Sequence, residues 1–341
     1  MWRLLKLCAL SVVVYSAVFG LLVDRPLSLG TLRLELLQKV TRLRALPSPK
    51  LVILAGSNGP YSHSCVVMGA MLNMPCENAG IAVGIGLDDI FIRYAPYLHA
   101  GDVVYMPMEL SQYTMTAAAY RAAVDGAFLL RHDRSILVQL PVPRIAGAVF
   151  CCTLADLGEA FLEMPLAGSG IITPQGLLAG EYDDQGDRVD NLLALRDAAL
   201  LPLAPRHLPT AVEIEGGYGS SLITKFVARE TRKGVIVVGG MPVGYTQPQS
   251  GKLIAAIRSV YVLNGGRFLL MPDHSEYPRM DFFNSEDHLV QPCQFMHSIF
   301  VARYLAALLG RQVLPPSDAV IRVAAECPSA ARIDVGRFSR P

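Results

Sequence analysis

A serine and a histidine that lie more than two hundred positions apart have the side chains needed for nucleophilic catalysis. Ser57 stands in a Gly-Ser-Asn turn directly after an apolar run at residues 51–55, and His288 stands in a short polar loop. A serine hydroxyl is a weak nucleophile until a base takes its proton, and histidine is the most common base. If the two side chains meet, the chain can form an acyl-serine.

The turn that holds Ser57 is one of several turns that follow short apolar runs. Runs at residues 51–55, 102–106, 234–238 and 267–271 alternate with helix-like stretches at residues 63–72, 87–98, 220–233, 252–262 and 294–309. Such alternation predicts an α/β fold with a buried parallel sheet. Ligands of open parallel sheets gather at the carboxyl ends of the strands, which is where Ser57 would lie.

A glycine-rich segment at residues 78–86 is a second candidate for contact with a ligand. Glycines let backbone amides approach a ligand closely, although tight loop packing explains them equally well. The segment is not a dinucleotide fingerprint, because Asp89 stands at the last glycine position, and no Lys-Ser/Thr pair follows for a P-loop. We therefore predict no nucleotide cofactor. The seven cysteines include no C-x-x-C pair, so we predict no metal site. A chain of this length does not need disulfides, and we predict no particular one.

The N-terminal residues carry the clearest membrane signal. Residues 7–23 form an uncharged run of 17, and counting from Leu4 gives 20. A helix of 20 residues is about 30 Å long, the thickness of a hydrocarbon core. Arg3 and Lys6 favour a cytoplasmic N-terminus, although basic residues after the run weaken that preference. We predict a single-pass anchor, with a cleaved signal peptide as the alternative, and either would export the rest of the chain.

The chain is predicted to have four parts. They are an anchor at residues 1–25, a stalk or linker at 26–49, a main domain at 50–312 and a C-terminal extension at 313–341, loosely attached. The less regular residues 111–209 are interpreted as a helical insertion beside the sheet.

Thirty basic and 29 acidic residues give a net charge of +1, which excludes nucleic-acid binding through a basic surface.

Taken together, these motifs resemble those of the SGNH (GDSL-type) hydrolase superfamily. Ser57 stands where the family has its nucleophile, residues 78–86 where it has an oxyanion glycine, and His288 where it has its terminal histidine. The resemblance covers about residues 50–309. It is strongest to membrane-anchored members that act in acylation of cell-envelope polymers, such as the alginate O-acetylation and lipoteichoic-acid D-alanylation proteins. It implies the SGNH hydrolase fold, a three-layer flavodoxin-like parallel sheet.

The oxyanion hole departs from the family pattern. The resemblance implies that Gly84 or Gly86 donates a backbone N–H to the oxyanion. The family also offers an asparagine side chain from its third block, but here the strand runs into Met-Pro-Met-Glu at residues 106–109. The hole is therefore expected to use the backbone N–H groups of Ser57 and a glycine, or Asn58.

The orienting acid departs as well. The family places an aspartate three residues before its histidine, where this chain has Ser285. Asn284 and Asp287 are the main candidates to hold the imidazole, and Asp281 and Glu286 could serve by loop geometry. Neighbours in an extended segment point to opposite faces, so Asp287 would reach the ring poorly. An asparagine would hold the ring but would not stabilise its positive charge.

The resemblance implies acyl transfer or ester hydrolysis through an acyl-Ser57 intermediate on an exported polysaccharide, with bacterial cellulose or alginate as candidate polymers. It also implies a membrane-bound acyltransferase or polysaccharide synthase complex as partner, and a bacterial inner-membrane protein whose globular domain is periplasmic. Two alternatives stay open. One is a catalytically inactive component of a polysaccharide-synthesis complex that keeps the SGNH fold. The other is a glycosidase that uses Glu109 and Asp287.

Overall fold

The structure, a computed structural model, describes residues 1–82, 84–117 and 124–330 of the chain. It divides into two compact units. The first comprises Met1–Gln38, Gly84–Arg93 and Thr116–Ala179, and the second comprises Lys39–Val83, Tyr94–Met115 and Gly180–Pro341. The predicted insertion at residues 111–209 is therefore divided, because residues from Gly180 onward belong to the second unit.

A five-stranded parallel sheet forms the centre of the second unit. Its strands are β1 (Leu51–Ile53), β2 (Cys76–Asn78), β3 (Val103–Met106), β4 (Ile236–Gly240) and β6 (Arg267–Leu269). Their order, β2-β1-β3-β4-β6, is the flavodoxin-like order of doubly wound sheets. The predicted α/β fold with a parallel sheet is thereby confirmed. A separate parallel pair is formed by β5 (Gly244–Tyr245) and β7 (Glu276–Tyr277).

The strands form where the sequence has β-branched and aromatic residues on a buried surface. All residues of β1 and β3 are buried, and Leu51 and Ile53 of β1 pair with Val103 and Tyr105 of β3. These four side chains lie in one hydrophobic cluster. The chain was not expected to form β2, whose residues are Cys-Glu-Asn. It pairs with β1 in register, Val52 opposite Glu77.

One helix that is shared with the first unit and the described helices of the second unit follow and precede these strands. They are α2 (Ser28–Ala45), which begins in the first unit, α3 (Asn58–Ser62), α4 (Cys65–Leu72), α6 (Leu110–Thr114), α12 (Ala211–Gly216), α13 (Tyr218–Arg232), α14 (Gly251–Val262), α15 (Gln291–Leu309) and α16 (Asp318–Ala325). Short 3-10 turns lie at Ala95–Tyr97, Leu193–Leu195 and Arg279–Asp281. Helix α15 ends as predicted, at Gly310, whose left-handed φ of 64° suits glycine.

The chain after Gln312, expected to be loosely attached, is instead packed on the second unit as far as Ala330. Helix α16 contacts α15, and a disulfide joins Cys327 to Cys293 of α15. A second disulfide joins Cys65 to Cys76, because β2 returns the chain beside α4. Neither pair has a spacing that marks it in the sequence, since the partners lie 34 and 11 residues apart. Residues 331–341 lie outside the described part of the chain.

The first unit is helical in its described residues. It contains α1 (Trp2–Ala17) with a π-helical turn at Val18–Leu22, α5 (Leu87–Tyr94, whose last residue belongs to the second unit), α7 (Val124–His132), α8 (Arg134–Leu137), α9 (Val142–Val149), α10 (Leu154–Ser169) and α11 (Pro174–Leu178). One helix among the described residues, Trp2–Gly20, is long and apolar enough to cross a membrane, and 6% of its most apolar window is buried. Helices α9 and α10 pass the same test only as a pair, and that pair is bent by 63°.

Candidate active site

Ser57 and His288 meet at the edge of the sheet in the second unit. Ser57 follows β1 and directly precedes α3, and its Oγ lies 2.8 Å from Nε2 of His288. Because β1 lies between β2 and β3, this is the point at which the strand order reverses, where doubly wound sheets bind ligands. The arrangement allows the serine hydroxyl to pass its proton to the imidazole.

Two contacts hold the imidazole ring of His288, and a third holds its loop. Asn284 Oδ1 lies 2.7 Å from its Nδ1. The ring of Tyr61 stacks on it, with ring centres 3.8 Å apart and planes 9° apart. The loop itself is closed by the bond from the Phe283 N–H to the His288 carbonyl, 2.7 Å long. When Nδ1–H donates to Asn284, the lone pair of Nε2 faces Ser57.

The surroundings of His288 keep it neutral. Burial lowers the pKa of His288 to about 3, and the nearby cations Arg188 and Arg206 act in the same direction. At neutral pH the imidazole is therefore an unprotonated base. This is the state required to accept the proton of Ser57.

The acidic candidates of the loop turn away from the imidazole. Asp287 pairs with Arg206, Oδ2 to Nη1 at 2.8 Å, and Glu286 pairs with the same guanidinium. Asp281 is buried and accepts the Ser329 N–H at 3.1 Å. The group behind Nδ1 is thus the amide of Asn284. Asp287, the other main candidate to hold the ring, lies beside the dyad of Ser57 and His288. Burial raises the pKa of Asp287 to about 6.

Glu109 lies beside Ser57. We did not expect this contact when we interpreted the sequence as that of an acyl-transfer protein. Glu109 Oε1 is 3.3 Å from Ser57 Oγ and 3.3 Å from the backbone N of Asn58, which donates to it. Burial, and then the charge of Asp287, raise the pKa of Glu109 to about 8, so the carboxyl group is neutral at pH 7. Its position follows from the sheet, because Glu109 comes after β3 and β3 is the neighbour of β1.

The predicted oxyanion residues have different locations. The side chain of Asn58 donates to the Pro107 carbonyl at 2.7 Å, and its backbone N–H points to Glu109 Oε1 at the site. Gly84 and Gly86 belong to the first unit, ahead of α5. Their role stays a prediction. In the second unit, the glycine that packs on the nucleophile turn is Gly80, where a Cβ would lie 2.8 Å from the Gly56 carbonyl.

A buried polar network next to β2 supports the turn Gly56-Ser57-Asn58, which carries the nucleophile. Asn78 at the end of β2 donates to the carbonyl oxygens of Gly59 and His63 and, at 2.8 Å, to Asp187 Oδ1. Asp187 also accepts the Ser64 hydroxyl at 3.0 Å, and burial raises its pKa to about 7. No periodic pattern in the sequence marks these residues. Asn78 begins the glycine-rich segment at residues 78–86, which is how the sequence analysis reached it.

A cavity of about 310 Å³ lies against the site. Its wall includes Leu110, next to Glu109 in the chain, and Asp287, next to His288. Buried Met241, Val243 and Tyr245 give it apolar surface, and the half-exposed guanidinium of Arg206 lies at its edge. The cavity can therefore hold a group with an apolar face next to the residues that adjoin Glu109 and His288 in the chain.

One group of three potential metal ligands occurs among the described residues, formed by Asp281, Cys293 and Cys327. The two cysteines are joined to each other in a disulfide, so the group offers a metal only a carboxylate.

Comparison of the chain with protein-family models, curated proteins and solved structures finds no match.

Proposed function

We propose that this protein is a serine esterase or O-acyltransferase of the SGNH type, which carries an acyl group on Ser57. The observation that supports the proposal most strongly is the 2.8 Å contact between Ser57 Oγ and a neutral His288 whose other ring nitrogen is held by Asn284. Activated serine nucleophiles have this arrangement of nucleophile, base and orienting group.

The reaction would proceed in two similar steps. Ser57 Oγ attacks the carbonyl carbon of an ester while its proton moves to Nε2 of His288. The bond to the leaving alcohol then breaks, and the alcohol oxygen takes that proton. Water or a sugar hydroxyl then attacks the acyl carbon and gives its proton to His288. The bond from the acyl carbon to Ser57 Oγ breaks, Oγ takes that proton from His288, and the acid or the acylated sugar leaves. With water as the acceptor of the acyl group the protein is an esterase, and with a sugar hydroxyl as the acceptor it is an O-acyltransferase.

The oxyanion would lie at the backbone N–H of Asn58, the donor that now points to Glu109 Oε1. A carbonyl oxygen at that position displaces the Glu109 oxygen from the N–H. An ionised Glu109 would repel the developing negative charge, whereas a neutral carboxyl group would not. We propose that the raised pKa of Glu109 keeps this position available to an oxyanion at neutral pH.

The acceptor is proposed to be an exported polysaccharide, with cellulose and alginate as candidates from the resemblance. Two features support export. The helix Trp2–Gly20 is apolar and exposed enough to anchor the chain in a membrane, and the second unit contains two disulfides, which persist in oxidising compartments. A membrane-bound acyltransferase would supply the acyl group. The cavity beside Asp287 is the proposed place of the acyl group or the sugar ring.

Hydrolysis of p-nitrophenyl acetate by the full chain tests this proposal. We expect Ser57→Ala and His288→Ala each to lower the rate by roughly 10³-fold or more, and the acetyl group to be found on Ser57 by peptide mass spectrometry. Ser259→Ala is the matched control, because this serine lies on α14 and its hydroxyl only bonds the Ala256 carbonyl. Equal rates in wild type and Ser57→Ala would remove Ser57 as the nucleophile.

One observation favours a second candidate function, a non-catalytic component of a polysaccharide-synthesis complex. The group behind His288 is the neutral amide of Asn284, which cannot balance an imidazolium charge. In that case the wild-type protein would not acetylate Ser57 at all, and it would bind a polysaccharide without changing it.

A further inference from the structure

Helix α10 of the first unit exposes an apolar face. Leu154, Phe161, Leu162 and Leu166 are between 46% and 80% exposed. They recur at intervals of seven, one and four residues, which places them on one side of a helix of 3.6 residues per turn. Isolated exposed leucines are ordinary, but a contiguous stripe on one helix indicates contact with something apolar.

The side of α10 opposite Leu154 and Phe161 carries Asp156 and Glu163, and Arg25 contacts both, while Glu159 lies at the border of the stripe beside Leu166. Asp156 Oδ1 lies 3.2 Å from Arg25 Nη1, Glu163 Oε1 lies 3.6 Å from its Nε, and Glu159 forms a third contact with the same guanidinium. Glu163 also accepts the backbone N–H of Ser28 at 3.0 Å. Because the acidic side is bound to the chain that follows the apolar helix, the apolar stripe must face outward.

The start of α10 is joined to the end of the apolar helix. The Tyr15 hydroxyl donates to the Cys152 carbonyl at 2.8 Å and accepts the Cys152 N–H at 3.0 Å. The Tyr15 ring also stacks on Phe150, with centres 5.6 Å apart. Tyr15 is five residues before the end of the helix Trp2–Gly20, which corresponds to about 8 Å along its axis. If that helix spans a bilayer, α10 begins about 8 Å inside the end of the span, within the depth of roughly 5–10 Å at which interfacial helices bury their apolar side.

We propose that α10 lies in the plane of the membrane interface, with the stripe of Leu154, Phe161, Leu162 and Leu166 in contact with lipid acyl chains. An amphipathic helix at this level buries its apolar side among the lipids and keeps its charged side in the polar layer. Its 16 residues extend about 24 Å, less than a hydrocarbon core, and three carboxylates on one side disfavour crossing it. This proposal goes beyond the acyl chemistry and does not depend on it.

Tryptophan quenching in vesicles tests the proposal with the full chain. The sequence contains a single tryptophan, Trp2, which is replaced by phenylalanine. Phe161→Trp then reports on the stripe, and Leu263→Trp, at a position 81% exposed on the second unit, is the control. Both proteins are reconstituted in phosphatidylcholine vesicles with bromine placed high or low on the acyl chains. The wild-type protein with Trp2 shows that the chain has inserted.

We expect lipids brominated near the headgroup to lower the F161W emission roughly twofold or more, and to leave the L263W emission unchanged. Equal quenching of the two variants would overturn the proposal. Stronger quenching by bromine deep in the acyl chain would also overturn it, in favour of a helix that enters the hydrocarbon core. A blue-shifted F161W emission that no lipid quenches would show a protein, such as a second copy of this chain, on the stripe instead.

Discussion

Asn284 Oδ1 lies 2.7 Å from Nδ1 of His288, in the place where serine hydrolases usually have a carboxylate. The amide can fix the tautomer and the orientation of the ring, because Nδ1–H donates to a carbonyl oxygen. It cannot stabilise the imidazolium that forms when Ser57 loses its proton. The dyad is therefore well oriented and electrostatically weak.

Asn284→Asp should increase the rate of ester hydrolysis. A carboxylate behind Nδ1 stabilises the imidazolium, and the reverse change in a serine protease costs about 10⁴ in rate, which is the upper limit here. We expect a gain of roughly 10-fold or more in kcat/KM. The carboxylate also raises the pKa of His288 from about 3, so the acid limb of the rate profile should move to higher pH. Asn284→Ala is the control and should lose activity. A rate that does not rise in Asn284→Asp would contradict a base role for His288.

Glu109→Gln should change the alkaline side of the pH profile. The pKa of Glu109 is raised to about 8, so the wild-type rate should fall as the pH rises through that value and the carboxylate begins to repel the oxyanion. Glutamine cannot ionise, so the fall should disappear, with activity at pH 7 kept within roughly 10-fold. Rates are measured between pH 6 and 10 after subtraction of spontaneous hydrolysis.

Glu77→Gln is the matched control for this experiment. Burial also raises the pKa of Glu77 to about 8, but its carboxyl oxygen Oε2 lies 3.2 Å from Arg42 Nε and does not contact Ser57 or His288. The Glu77→Gln protein should keep the alkaline fall. If Glu109→Gln also keeps it, another group is responsible and Glu109 has no electrostatic role at the oxyanion.

The two disulfides of the second unit should contribute to stability according to the loops they close. Cys293 and Cys327 are 34 residues apart, and Cys65 and Cys76 are 11 apart. The chain-entropy relation gives about 4 and about 3 kcal/mol for loops of these lengths. Each pair is changed to serine together, and the free energy of unfolding is measured by urea titration in detergent. Cys8→Ser, at the exposed free cysteine, is the control. Unchanged unfolding in both double variants would show that these disulfides do not form.

The buried pair His63 and His297 should make the protein less stable in acid. Their Nε2 atoms lie 3.2 Å apart, and burial lowers the pKa of His63 from 6.5 to about 4. The fold thus favours the neutral ring, so its contribution is fully present above pH 6.5 and is lost as the pH falls toward 4. Between pH 7 and pH 5, His63 alone should cost about 2 kcal/mol of the free energy of unfolding.

His63→Gln should remove that part of the pH dependence, because glutamine does not titrate. Unfolding by urea at pH 7 and at pH 5 gives the difference for each variant. His99→Gln, whose side chain is 64% exposed, should behave like the wild type. A His63→Gln protein that loses as much stability as the wild type between the two pH values would contradict the prediction.

Local patterns of the sequence were enough to predict the main strands, their helices and the turn that carries Ser57. Apolar runs with β-branched residues must be buried, and alternation with helices leaves a parallel sheet as the simple solution. Strand β2 was missed because Cys-Glu-Asn has no apolar pattern. Its pairing with β1 and the contact of the Glu77 side chain with Arg42 hold it in the sheet.

The chain by itself determined the residue types at the site, a serine after a buried strand and a histidine in a polar loop. Only the tertiary structure decided which neighbours they have. Asn284 and Asp287 were both near His288 in the sequence, but the bond from Phe283 to the His288 carbonyl closes the loop so that Asn284 faces the ring and Asp287 faces Arg206. Glu109 reaches Ser57 because the order of the strands makes β3 the neighbour of β1. Such contacts between distant residues depend on the packing of the whole unit, which no local pattern encodes.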